Sequence, residues 1–97
     1  MMFYIYILYS EKSDRYYVGH TNDVSRRLME HNDTSENSYT SRMGPWVLKG
    51  SFPTGNDRGF AIRTEKHIKS QKSRKYLETL LDHGSIEKII SRIKGDA

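Results

Sequence analysis

Phe3-Tyr4-Ile5-Tyr6-Ile7-Leu8-Tyr9, then Ser10-Glu11-Lys12-Ser13-Asp14, then Arg15-Tyr16-Tyr17-Val18-Gly19 is the stretch that decides the fold. Two runs of β-branched and aromatic residues flank a short polar segment, which is the signature of a β-hairpin. Side chains alternate across a strand. An even-numbered loop therefore places Tyr6 and Tyr17 on the same sheet face, although the sequence does not fix that register. Beyond the hairpin, Thr21 or Asn22 can cap a helix running to about His31. Asn32 to Gly44, rich in Asn, Asp, Ser and Thr, reads as a mobile surface loop. Trp46 to Phe52 reads as a third strand and Pro53 to Asp57 as a turn. A helix follows from about Arg58 to Gln71. Ser73 can cap a short helix carrying Leu77, Leu80 and Leu81, with Gly84 ending it. Ser85 can cap a last helix whose Ile86, Ile89, Ile90 and Ile93 form one stripe, which either closes the core or docks a protein partner. The order β-β-α-β-α-α-α predicts an α+β fold with a small, three-stranded, mainly antiparallel sheet flanked by helices.

The chain has 97 residues, which fits one domain over residues 1–97. It has no cysteine, so a disulfide scaffold, a thiol nucleophile and a zinc finger are excluded. Mean hydropathy is −0.80, and no stretch approaches the ~20 apolar residues of a membrane span. Met2 to Tyr9 has no basic segment before it and no small-residue cleavage site, so it reads as a strand rather than a signal peptide. The expected compartment is a reducing cytoplasm. Lys and Arg outnumber Asp and Glu 16 to 12, a formal charge of +4. From Arg63 to Lys75 the cations Arg63, Lys66, Lys69, Lys72, Arg74 and Lys75 stand against one acid, Glu65. That stretch is either a solvated helix face or a stripe that tracks phosphates.

Three groups of polar residues fall on faces that should be apolar. At about 100° per residue, Arg27 and His31 share the helix face of Val24 and Leu28. Such a pair either snorkels at the rim of the core or meets an anion, because burying a charge without a partner is costly. On the second long helix Glu65 lies between Ala61 and Ile68 on the core side. A carboxylate there calls for a cation, either an arginine such as Arg27 or a metal. The third group is the tyrosines, seven in all, of which Tyr6 and Tyr17 could share a face with Arg27, His31 and Glu65. A phenol, an arginine, a histidine and a lone carboxylate suit phosphodiester cleavage. A metal polarises the phosphate, arginine neutralises developing charge, and a phenol or imidazole moves the proton.

These residues also resemble the GIY-YIG nuclease family over about Phe3 to Tyr76. Tyr4-Ile5-Tyr6 stands where the family has Gly-Ile-Tyr, and Tyr17-Val18-Gly19 where it has Tyr-Ile-Gly. The run from Gly19 through His20-Thr21-Asn22-Asp23-Val24-Ser25-Arg26 to Arg27 has the family's spacing from glycine to helix arginine. His31-Asn32 matches a common helix end. Tyr39-Thr40-Ser41 and Gly44-Pro45-Trp46 resemble small stand-alone members and the eukaryotic junction-cutting subunit. Glu65 matches the family's metal-binding glutamate.

The resemblance implies a DNA endonuclease of repair or recombination that uses one Mg²⁺ or Mn²⁺ held by Glu65. Arg27 would stabilise the transition state, and Tyr6 would be the prime candidate for base or water-positioning group. Tyr17 and His31 would position the phosphate or its neighbours. Gly19 would let backbone approach the site closely. Tyr4 departs from the family's first glycine, and His20 stands where several relatives have lysine. With no separate DNA-binding module in view, grip on DNA, branched DNA included, would fall to His20, Arg63, Lys66, Lys69, Lys72, Arg74 and the Asn32 to Gly44 loop, or targeting to a protein partner. The alternative is a module of the same fold that binds nucleic acid without useful turnover.

Overall fold

The computed structural model describes residues 1–36, 38–82, 88 and 90–93. Among these, β1 (Phe3–Ser10), β2 (Arg15–Thr21) and β3 (Val47–Gly55) form one antiparallel sheet in the order β2-β1-β3. The helices are α1 (Val24–Asn32), α2 (Tyr39–Met43), α3 (Arg58–Ser70) and α4 (Arg74–Leu80), with a short 3-10 turn at Thr34–Glu36. The α+β class and the three-stranded sheet are those expected from the sequence. The isoleucine helix and Gly84 fall largely outside the described residues, although Ile90 packs against the core.

The hairpin closes over Glu11–Asp14. Asp14 takes a positive φ of 53° there, a conformation that Asp tolerates better than most residues. The pairs Tyr6↔Gly19 and Leu8↔Tyr17 follow, so Tyr6 and Tyr17 do share a face. Alternation along β1 then builds two cores. Ile5, Ile7 and Val18 pack with Ile68 of α3 and Leu80 of α4. On the other face Tyr6 and Leu8 pack with Trp46, Tyr17, Val24, Leu28 and Met43, beneath α1 and α2.

Four helices begin at short polar caps whose side chains accept an orphan backbone N–H: Asp23 from Arg26, Ser38 from Ser41, Asp57 from Gly59 and Ser73 from Tyr76. The first cap is thus Asp23, not Thr21 or Asn22. Thr21 ends β2, and its Oγ1 accepts the Asp23 N–H at 3.0 Å.

Two other expectations are corrected. The strand continues through Pro53 to Gly55. β3 is an outer strand, where proline's missing donor can face away from the ladder. The Asn32 to Gly44 segment is not a loose loop. It contains α2, and polar bonds tie it down. Asn32 clamps Trp46 through the Trp46 N–H to Oδ1 (2.7 Å) and through Nδ2 to the Trp46 carbonyl (3.0 Å). Trp46 Nε1 donates to the Thr40 carbonyl at 2.6 Å, and Ser10 Oγ to the Met43 carbonyl at 2.6 Å. A five-residue helix shows no periodicity in sequence, because these long-range bonds hold it and propensity does not.

Candidate active site

Tyr6 is buried, with 1% of its surface exposed. Its ring leans across Gly19, where a Cβ would come within 2.6 Å of Tyr6 Cζ. Gly19 is itself buried. Its missing side chain therefore makes room for a phenol, rather than letting backbone approach a ligand. The Tyr6 hydroxyl lies 3.0 Å from His31 Nε2, and the Arg27 guanidinium is close enough to act on its pKa. Burial pushes the Tyr6 hydroxyl up from its ordinary value, and the Arg27 guanidinium opposes this without cancelling it. Tyr17 is less buried, stacks on Tyr6 at 6.2 Å and meets the His31 ring at 4.5 Å.

His31 is 4% exposed. Burial, reinforced by the Arg27 charge, lowers its pKa below the ordinary 6.5, against a weaker pull from Glu30. The ring is thus neutral in the folded state at neutral pH. The unfolded chain binds this proton more readily, so the stability due to His31 is fully present above about 6.5 and declines as pH falls toward the lower folded value. Tyr6, Tyr17, Arg27 and Glu30 are the titratable or charged groups about the ring. We expect a lower urea midpoint at pH 5.5 than at pH 7.5. His31→Gln, which keeps a partner for Tyr6 but has no proton to gain, should flatten that difference. An unchanged difference in the variant would assign it to other groups.

Glu65 approaches from the opposite face, contrary to the shared-face expectation. It lies on α3 beside His20, and alternation places His20 on the same side of the sheet as Val18. Its side-chain partners are His20 Nδ1 at 2.6 Å and the Lys69 ammonium at 2.8 Å, not Arg27, which pairs with Glu30 at 2.9 Å. Burial raises the Glu65 pKa, but the Lys69 and His20 hydrogen bonds outweigh it and hold the carboxyl below its ordinary value. The two faces meet round the outer edge of β2. Lys69, while donating to Glu65, sits 5.7 Å from the centroid of the Tyr17 ring.

The structure thus brings together Tyr6, Tyr17, His20, Arg27, His31, Glu65 and Lys69. The rest of the basic stripe divides. Arg63 stacks over Phe60, and Lys66 is exposed. Lys72 and Arg74 flank the outer edge of β2, with Arg74 tied to Asp14 at 2.8 Å. Sequence reasoning missed Arg26 and Arg58. With His20, Arg27 and Glu30 they line a cavity of about 410 Å³; Glu30 is taken by Arg27, which leaves Arg26 and Arg58 to face an anion. Arg26 falls off the helix face used to find Arg27, and Arg58 opens α3 outside any periodic pattern.

Fold and site together define a class, a small α+β domain with tyrosine, histidine, arginine and glutamate side chains gathered at one sheet edge. The model of the GIY-YIG catalytic domain matches residues 2–77, and the chain belongs to that nuclease family. Neither the curated proteins nor the solved structures compared contain a match to it.

Nucleases of this family generally depend on a divalent metal. Among the described residues no three His, Cys, Asp or Glu side chains form a metal cage. One carboxylate is nonetheless compatible with Mg²⁺, which keeps several waters and usually takes one or two carboxylates plus substrate phosphates. The Glu65 side chain is 18% exposed, and among the described residues one of its oxygens is held by Lys69 alone, itself 48% exposed. Also among the described residues, no helix is long and apolar enough to cross a membrane.

Proposed function

We propose that this chain is a metal-dependent DNA endonuclease of repair or recombination, one nuclease domain over residues 1–97, with branched DNA among its substrates and a partner protein supplying targeting. The observation that carries this reading is the meeting of Tyr6, Tyr17, Arg27 and His31 from one face with Glu65 from the other at the edge beside Gly19. Glu65 would hold one Mg²⁺ or Mn²⁺, which when bound would polarise the phosphate.

This chain's own residues would do the rest. A phosphate competes with Glu30 for the Arg27 guanidinium, whose fork matches phosphate oxygens and neutralises charge developing on them. Neutral His31 is placed to take the Tyr6 proton as the phenol oxygen takes one from the attacking water. That relay suits a buried phenol whose pKa is raised and which does not ionise by itself. Tyr17 orients the His31 ring.

Tyr6→Phe should then lower the cleavage rate about 10²- to 10⁴-fold, the usual worth of a general base. Tyr17→Phe, which keeps the stacked ring, should cost less than about tenfold. The reverse order in single-turnover cleavage would transfer the base role to Tyr17. Arg27→Ala should reduce rate more than DNA affinity, because its interaction strengthens as charge develops. Equal losses in both would make it a docking group. The direct test of the function is nicking of supercoiled plasmid and a labelled branched DNA by the full chain with Mg²⁺, Mn²⁺ or EDTA. Cleavage that EDTA abolishes is expected. Salt-sensitive binding without cleavage in either metal would replace this reading with that of a binding module.

A further inference from the structure

Beside the candidate site runs a cavity that hydrolysis itself does not require. It follows the outer edge of β2, which pairs with no strand among the described residues, and has a volume of about 720 Å³. Tyr16, Tyr17 and Trp46 line it, with Tyr39 at its rim. Tyr39 is 54% exposed, so its ring offers an open face on which a planar group can stack. Arg15 and Lys72 also border the cavity and make no ion pair among the described residues. The single lining acid, Asp14, is already held by Arg74 and by the Tyr9 hydroxyl.

Uncompensated cations beside aromatic faces suit a polyanion that carries planar rings. A paired base is stacked inside its duplex and cannot offer a face to Tyr39 or Tyr17, whereas an unpaired base can. The volume lies within the roughly 300–1,000 Å³ of pockets that enclose a drug-sized ligand, room for a nucleotide or two but not for a duplex. An acidic peptide would answer the cations and leave the rings unused. The cavity is also continuous with the site, because Tyr17 and Lys69 belong to both.

We propose that this cavity receives an unpaired nucleotide of the strand being cut, so that the preferred substrate is a duplex with a single-stranded arm or gap next to the scissile bond. The proposal rests on the endonuclease reading for the cut itself, but not for the binding.

The test is fluorescence anisotropy of the full chain in EDTA. It compares a blunt duplex with the same duplex carrying a short single-stranded arm. The arm should tighten binding about tenfold or more, the scale of one base stacked on an aromatic ring. Tyr39→Ala should remove most of that gain and leave blunt-duplex affinity within about twofold, and Tyr39→Trp should keep the gain. Ser38 still caps α2 in both variants. Equal affinity of wild type for the two DNAs overturns the proposal and leaves the free β2 edge to a peptide strand. So does a Tyr39→Ala loss that is the same on both DNAs. The same DNAs incubated with Mg²⁺ or Mn²⁺ separate the two ideas. An arm preference with no cleavage overturns the nuclease reading alone, and metal-dependent cleavage with no arm preference overturns the cavity's occupant alone.

Discussion

Glu65→Ala should cut DNA at least about a thousandfold more slowly than wild type in saturating Mg²⁺, a loss of several kcal/mol of transition-state stabilisation. The size of the effect follows from isolation. Among the described residues no cage of ligating side chains surrounds Glu65, and Glu30, which lines the cavity beside His20, is engaged by Arg27. Among the described residues, an ion at this edge would depend on that one carboxylate. The fold should hardly notice the change. Glu65 is half-buried and its partners are more exposed than it is, with His20 at 25% and Lys69 at 48%. Both can turn to water, so the lost ion pairs cost about 1 kcal/mol or less. A melting temperature within a few degrees of wild type, together with weakened Mn²⁺ binding by calorimetry, would assign the loss to the ion. Cleavage undiminished in this variant would remove Glu65 from the chemistry. Glu65→Gln is the companion variant. It keeps the volume and one acceptor for Lys69 but carries no charge, so it should be nearly as inactive.

Much of this arrangement was legible in the residues, for reasons that also explain the failures. The hairpin could be read because both strands are dense in β-branched and aromatic residues, but its register could not, since Ser10 to Asp14 does not show where the strands end. In the structure β1 runs through Ser10, the four residues Glu11–Asp14 join the strands, and that even number puts Tyr6 and Tyr17 on one face. Arg27 and His31 could be found because helix periodicity is short-ranged, and two polar residues on the face of Val24 and Leu28 stand out. Glu65 stood out on α3 for the same reason, but its side of the sheet did not. Which face a helix covers depends on how the chain crosses over, and no local pattern records that. Arg27, one of the two candidates for the cation at Glu65, failed for this reason, with Glu30 one turn away capturing Arg27 and α3 supplying Lys69 to Glu65. The α2 segment was misread because its order comes from Asn32, Trp46 and Ser10, residues distant from it or at its margins. Arg26 and Arg58 were missed because a cavity lined from several elements has no signature in any one of them.

Gly19→Ala tests the part of the site that looks least chemical. A methyl group at Gly19 would sit 2.6 Å from Tyr6 Cζ and 3.0 Å from Cε1, so the ring must move. Tyr6 has little space in which to do so. It is packed with Leu8 and Trp46 and stacked on Tyr17, and its hydroxyl is engaged by His31. Overpacking of this kind costs about 1–3 kcal/mol, which for a chain of this length lowers the melting temperature by roughly 5–20 °C. Activity should fall further than stability accounts for. A displacement of about 1 Å in a positioned group can cost 10²-fold in rate, and here the group displaced holds the hydrogen bond to His31. Gly50→Ala supplies the comparison. Its added methyl group would press on Leu81 Cδ2 at 2.7 Å and Phe52 Cζ at 2.9 Å, on the strand that flanks the other side of β1. It should therefore lower the melting temperature by a similar amount. Well below both melting temperatures Gly50→Ala should cut DNA at nearly the wild-type rate, while Gly19→Ala remains about 10²-fold impaired. If the two variants lose activity in parallel, Gly19 serves only the packing of the sheet. If they separate, the glycine beside the phenol is there to let Tyr6 reach the sheet edge where Arg27, His31 and Glu65 are gathered.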